Sequence, residues 1–167
     1  MLIWKLSGEN VDMDDLQKIR SIAEYQFGKN TGKKLFPNTV KIVYSKNTGK
    51  IRHIHLQEKL LATLRPTTGL LILTVAGAKH FVQEVNPQRC WVKINDDAEP
   101  FVMKGRSAFA KHVIDADPTI RPNTEVIVIN KKSKVLAVGR AILTGTEMKQ
   151  FNKGMAIRVR RGVTEKS

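Results

Sequence analysis

Short apolar runs cut off by tight-turn residues constrain this chain more than any other feature. Thr39–Ser45 and Ile51–Leu56 flank Lys46-Asn47-Thr48-Gly49, while Leu60–Arg65 and Leu70–Thr74 flank Pro66-Thr67-Thr68-Gly69. Both tetrapeptides carry turn chemistry, since proline presets φ and glycine accepts φ > 0. Strands joined by such short links pair antiparallel, because a parallel pair needs a crossover of roughly a dozen residues. Residues Asp12 to Gly28 supply a covering helix, in which Leu16, Ile19, Ile22, Ala23 and Phe27 recur at helical spacing and predict one buried face. Asp12 is placed to cap its first turn, with Val11 and Leu16 as a hydrophobic staple. Asp14 and Asp15 stand at the positive end of the helix dipole, and Gly28-Lys29 supply a stop. A second, shorter helix is predicted over Ala76–Gln83. The first half therefore reads as a small antiparallel sheet covered by helices.

Asn86-Pro87-Gln88 is a polar break and the domain boundary the sequence suggests. Beyond it Trp91–Ile94, Ala108–Ile114, Glu125–Asn130, Lys134–Leu143 and Met155–Arg161 favour strand. A short helix is expected from about Asp97 to Lys104, ending at Gly105. Another starts at Thr144, where Thr144 and Glu147 have the spacing of a capping box. So many short strands in so short a segment predict a closed or nearly closed barrel, which leaves few exposed edges. The fold class is α+β.

Charge narrows the partners. The 167 residues carry 29 Lys+Arg against 15 Asp+Glu, a net +14. From Tyr25 to Gln57 there is no acid, and from Val126 to Thr164 nine basic residues face a single acid, Glu147. Stretches this one-sided predict a polyanion partner. A membrane-surface helix would set basic residues beside a strong apolar face, whereas these stretches read as strands and turns, so nucleic acid is favoured. With 41% hydrophobic and 26% charged residues the composition is globular. No apolar run approaches the ~18–20 residues of a membrane span. Met1-Leu2-Ile3-Trp4-Lys5-Leu6 lacks a basic segment ahead of a longer apolar one, so no secretory signal is expected and the chain is placed in the cytoplasm.

Candidate chemistry is sparse. His53 and His55 share a strand face, but no third ligand lies at characteristic spacing, and no metal or other cofactor is expected. Cys90 is the sole cysteine and reads as a small buried hydrophobe. Asp96, Asp97 and Glu99 stand where a helix begins and are explained by capping and dipole compensation. Asp115-Ala116-Asp117-Pro118 reads as a turn out of a strand. No phosphate-binding loop or dinucleotide fingerprint is present. The last strand says more: alternation in Met155–Arg161 sends Met155, Ile157 and Val159 inward and Arg158 and Arg160 outward, about 6.7 Å apart by strand rise. That separation suits successive phosphates, which guanidinium groups grip bidentately. Lys104-Gly105-Arg106 is a second candidate, where glycine would let a phosphate approach main-chain N–H groups between two cations.

The blocks Asp97-Ala98-Glu99-Pro100-Phe101-Val102, Lys104-Gly105-Arg106, Val113–Asp117, Ile120-Arg121-Pro122 and Leu136–Ala141 fall in an order that resembles a PUA domain. Upstream, Ile19–Gly28, Leu35-Phe36-Pro37, Ile51-Arg52-His53 and Leu61–Gly69 resemble the segment preceding that domain in archaeal tRNA-guanine transglycosylases and related archaeosine synthases. The resemblance implies an α+β accessory domain over 1–88, a PUA pseudo-barrel of about five to six strands with two short helices over 89–164, and a tail of 165–167. It also implies binding of the tRNA acceptor stem and 3′ end through Phe101, Lys104, Gly105, Arg106, Arg158 and Arg160. The family's catalytic barrel and zinc-binding cysteines have no counterpart here. The implied role is therefore that of a non-catalytic RNA-binding chain working with a separate catalytic transglycosylase chain, the alternative being a free-standing adaptor on ribosomal RNA.

Overall fold

The computed structural model describes the backbone of residues 2–4 and all of residues 11–165. Two compact units divide the chain, residues 1–85 and 86–167. In the first, β1 (Leu2–Trp4), β2 (Lys41–Ser45), β3 (Ile51–Leu56), β4 (Lys59–Leu64) and β5 (Leu71–Leu73) form one antiparallel sheet in chain order. The β2–β3 and β4–β5 links are the two tetrapeptides singled out above. The β3–β4 link turns on Gln57 and Glu58, both at positive φ (48° and 67°), the handedness that matches strand twist in a two-residue hairpin.

Helix α1 (Met13–Phe27) lies between Asp12, whose carboxylate accepts from the Asp14 N–H at 2.8 Å, and Gly28. Its buried face is Leu16, Ile19, Arg20, Ala23 and Phe27, with Ile22 only half-buried. Arg20 was not expected there. Its Nε donates to the Phe36 carbonyl at 2.8 Å and its Nη2 to Asn38 Oδ1 at 2.9 Å, so the buried cation holds the segment entering β2. That segment contains an unforeseen single-turn helix, α2 (Gly32–Leu35), which buries Leu35 and leads into buried Phe36. Helix α3 (Val75–Glu84) is capped by Thr74, whose Oγ1 accepts from the Gly77 N–H at 3.0 Å, and packs Phe81 against Phe27 with ring centroids 5.3 Å apart.

The second unit is one six-stranded sheet. Its strands are β6 (Trp91–Ile94), β7 (Ala108–Phe109), β8 (Val113–Ala116), β9 (Glu125–Ile129), β10 (Val135–Ala141) and β11 (Met155–Gly162), in the order β7-β11-β10-β9-β6-β8. All pairs are antiparallel except β6–β9. Here the expectation of one strand over Ala108–Ile114 is corrected: a 3-10 turn, Ala110–His112, splits it into β7 and β8. The turn lets consecutive residues serve opposite edges of the sheet, which closes the barrel. Ala110 N–H donates to Gly154 on one side (2.9 Å), and His112 accepts from the Asn95 N–H on the other (2.9 Å). Val92, Ile94, Val102, Val128, Leu136 and Ile157 are among the residues packed inside. Helices α4 (Glu99–Met103) and α5 (Gly145–Gln150) cover the ends, and α5 starts in the expected capping box, Glu147 N–H to Thr144 Oγ1 at 3.1 Å and Thr144 N–H to Glu147 at 2.9 Å.

Helix α4 begins at Ala98 with no side-chain cap, so the capping role expected of Asp96, Asp97 and Glu99 is corrected. Asn95 instead accepts the Ala98 N–H, Asp96 pairs with Lys131, and Glu99 accepts from the Asn130 amide. Asp117 is the acid that matters to the fold. It is buried, accepts from the Cys90 N–H at 2.7 Å and the Thr119 N–H at 2.9 Å, and so ties the entry to β6 to the exit from β8. Asp117→Ala would strand a buried donor and should lower stability in urea unfolding by about 2–3 kcal/mol. Asp97→Ala, at an exposed site, should change it by less than about 0.5 kcal/mol.

Candidate nucleic-acid interface

Strand β11 carries the arginines. Arg158 is exposed and stands opposite Arg140 on β10, which in turn stands opposite Glu125 on β9. Register shifts between Val138 and Gly139, so Arg160 falls at a bulge where it has no residue directly across. Both arginines are exposed on this unit, but they are not equivalent. Arg160 is ion-paired with Glu125, whereas Arg158 has no ionic partner among the described residues. Arg140, half-buried and directly across from Arg158 on the neighbouring strand, is a cation that alternation along β11 alone could not reveal. It follows from the register of the neighbouring strand.

The Lys104-Gly105-Arg106 turn lies against the far end of the same strand. A side chain on Gly162 would stand 2.2 Å from the Met103 carbonyl and 2.7 Å from the Gly105 nitrogen, so the close approach requires glycine there. Thr164 fastens the contact, its N–H and Oγ1 both donating to the Met103 carbonyl at 3.0 and 2.8 Å. Gly105 has φ 94°, and Lys104 and Arg106 are exposed on either side of it. Phe101 on α4 is 58% exposed.

One expectation for this turn is corrected. Its main-chain N–H groups are used internally: Lys104 and Arg106 donate to the Phe101 carbonyl (3.2 and 3.1 Å), and Gly105 donates to Val102 (2.9 Å). The turn closes back on its own helix, so an anion would meet the side chains of Lys104 and Arg106 rather than backbone donors. The Glu165 carboxylate also lies against Gly105 and accepts from the Gly162 N–H at 2.6 Å.

Among the described residues no three His, Cys, Asp or Glu side chains are placed to hold a metal ion. His53 and His55 lie edge to face, centroids 6.3 Å apart, and His53 Nδ1 contacts Thr63 Oγ1 at 3.1 Å. Burial lowers both ring pKa values, helped at His53 by Arg52 and His55 and at His55 by Lys41. Burial, with Asp117 beside it, pushes the Cys90 thiol up to about 12. Lys149, 3.2 Å away, holds the Asp115 carboxyl below its usual range. No helix among the described residues is long and apolar enough to cross a membrane.

Residues 17–88 match the family described as the patch-forming domain C2 of tRNA-guanine transglycosylase, and residues 91–163 match the PUA domain. The chain is 42% identical over 162 residues to a tRNA-guanine(15) transglycosylase of Methanothermobacter thermautotrophicus, covering 96% of this chain and 25% of that one. It is 43% identical over 145 residues to the enzyme of the same name from Thermococcus kodakarensis, covering 87% and 25%. It thus spans about a quarter of the length of these curated relatives. Among solved structures, a hypothetical protein from Pyrococcus horikoshii OT3 superposes with a TM-score of 0.74 at 22% identity, covering 95% of each chain. A PUA domain protein from Thermoplasma acidophilum superposes at 0.68 and 17% identity, covering 99% of this chain and 96% of that one.

The histidine pair gives a pH test. The folded chain keeps both rings neutral where an unfolded chain, with the ordinary value of 6.5, binds protons. Unfolding therefore takes up protons, and stability falls as pH drops below about 6.5. Urea midpoints should decline from pH 7 to pH 5, and His53→Gln with His55→Gln should flatten that decline.

Proposed function

The chain is a PUA-domain protein that resembles the C2 and PUA portion of archaeal tRNA-guanine transglycosylases, and from that premise we propose that it grips tRNA without catalysing a reaction itself. Its partner is a separate catalytic chain of the transglycosylase kind, for which it holds the acceptor stem and 3′ end. One observation carries this reading: Arg158 stands exposed on β11 with no ionic partner among the described residues, on the strand whose far end is fastened to the Lys104–Arg106 turn. Two sets of cations held on one rigid barrel suit a duplex backbone, which proteins recognise by shape, phosphates and 2′-hydroxyls rather than base edges. Phe101, Lys104, Gly105, Arg106, Arg158 and Arg160 are the contact residues of this reading. Arg140 supports them by adding positive charge across from Arg158. The two family matches, 17–88 and 91–163, favour an accessory domain over 1–88 and an RNA-gripping domain over 89–164.

The reading predicts a strong salt dependence. If about five phosphates are neutralised, log K falls against log salt with a slope of roughly −3.5 to −4.5. Arg158→Ala should weaken tRNA binding and flatten the slope by about one. Arg160→Ala should flatten it less, since Glu125 already compensates that charge. An unchanged slope in both variants removes β11 from the interface. Purification of the chain from native cells separates the partner readings. Recovery of tRNA together with a transglycosylase chain is expected, whereas recovery on ribosomal particles alone would favour a ribosomal-RNA adaptor instead.

A further inference from the structure

At the start of β11 the second unit has an open cleft of about 240 Å3 lined by Phe109, Lys111, Asn152, Lys153 and Gly154. Its two walls are locked together. Phe109 pairs with Met155 across β7 and β11, and the Ala110 N–H donates to the Gly154 carbonyl at 2.9 Å. One wall is aromatic: Phe109 leaves 44% of its surface exposed although it sits on a strand of the barrel. The rim is cationic, with exposed Lys111 and Lys153, neither of which has an ionic partner among the described residues. No acid lines the cleft. Asn152 adds an amide, which both donates and accepts.

We propose that this cleft is a subsite for one unpaired nucleotide of the bound RNA. The Phe109 ring stacks the base, Lys111 and Lys153 meet the phosphates on either side, and the Asn152 amide faces the base edge. The volume is below the roughly 300–1,000 Å3 of sites that enclose a drug-sized ligand, so it suits a single ring system. An aromatic face between cations is the arrangement by which proteins hold single-stranded nucleic acid, because every base has a π-face and every link a phosphate. A paired base is stacked inside its helix and cannot reach Phe109, so the subsite selects an unpaired nucleotide next to the duplex. Phe109 follows Arg106 by three residues, so the cleft lies within about 11 Å of the Lys104–Arg106 turn along the backbone. A duplex grip and a single-strand grip are thus neighbours, joined by the short step from Arg106 to Phe109. The inference rests on the RNA-binding reading above.

The test uses the full chain and two RNA hairpins, one blunt-ended and one with a short 3′ overhang containing 2-aminopurine. The overhang should tighten wild-type binding about tenfold, the scale of one base–aromatic stack, and quench the 2-aminopurine. Phe109→Leu keeps apolar bulk at the strand while removing the ring. It should reduce both the overhang advantage and the quenching while leaving blunt-hairpin affinity unchanged, and Phe109→Trp should retain them. Lys111→Ala with Lys153→Ala should reduce the overhang advantage only. The subsite is overturned if Phe109→Leu keeps the full overhang advantage, or if it weakens both hairpins equally. Wild-type protein that binds neither hairpin would instead overturn the RNA-binding reading, and the subsite with it.

Discussion

The second unit depends on one short turn. A six-stranded sheet has two open edges, and here β7 and β8, adjacent in sequence, occupy both. Only a sheet curled into a barrel can bring those edges within the reach of Ala110–His112. The turn is held on both flanks by backbone hydrogen bonds, to Gly154 and from Asn95. The turn keeps both edge strands short, two residues in β7 and four in β8, which limits the unpaired edge that invites aggregation. It also decides what stands beside β11. With β7 on one flank and β10 on the other, that strand receives the α4 turn at one end and the Phe109 wall at the other. The positions of the basic residues are thus consequences of how the barrel closes.

The acids complete the electrostatic picture. The second half contains Asp96, Asp97, Glu99, Asp115, Asp117, Glu125, Glu147 and Glu165, and all but Asp97 have a structural partner. Asp117 and Glu147 satisfy backbone donors, while Asp96, Asp115 and Glu125 answer single cations. Exposed ion pairs of that kind contribute only about 0.2–1 kcal/mol each, so their main effect is on where positive potential survives. Arg158, Lys104, Arg106, Lys111 and Lys153 are among the exposed cations with no ionic partner among the described residues. Carboxylates committed in this way are poorly placed for acid–base chemistry.

Much of this was legible in the sequence because local chemistry and tertiary packing agree. Helix α1 with its Asp12 cap, the two glycine-ended tetrapeptide turns and the Thr144–Glu147 capping box all form as their residues predict. The failures share a cause: they depend on partners distant in sequence. The Ala108–Ile114 run has uniform strand propensity, and only the competing demands of β11 and β6 break it. Arg20 is spaced like a core residue but reads as polar, because its acceptors, Phe36 and Asn38, are supplied by a later segment. Arg140 gains its place across from Arg158 from strand register. At the glycine turn, sequence spacing located the cations, but the internal hydrogen bonds of the turn could be read only from its closed geometry.

The burial of Cys90 has a practical consequence. Its nitrogen is bound by Asp117, its backbone is held at φ 64°, and burial pushes its thiol pKa up to about 12. Only the thiolate reacts with alkylating reagents, so this buried sulfhydryl should label far more slowly than an exposed one. Exposed cysteines introduced singly on each unit would therefore be the fast-reacting ones. Spin or fluorophore pairs could then report the distance between the two units, with and without RNA, without removing any native residue.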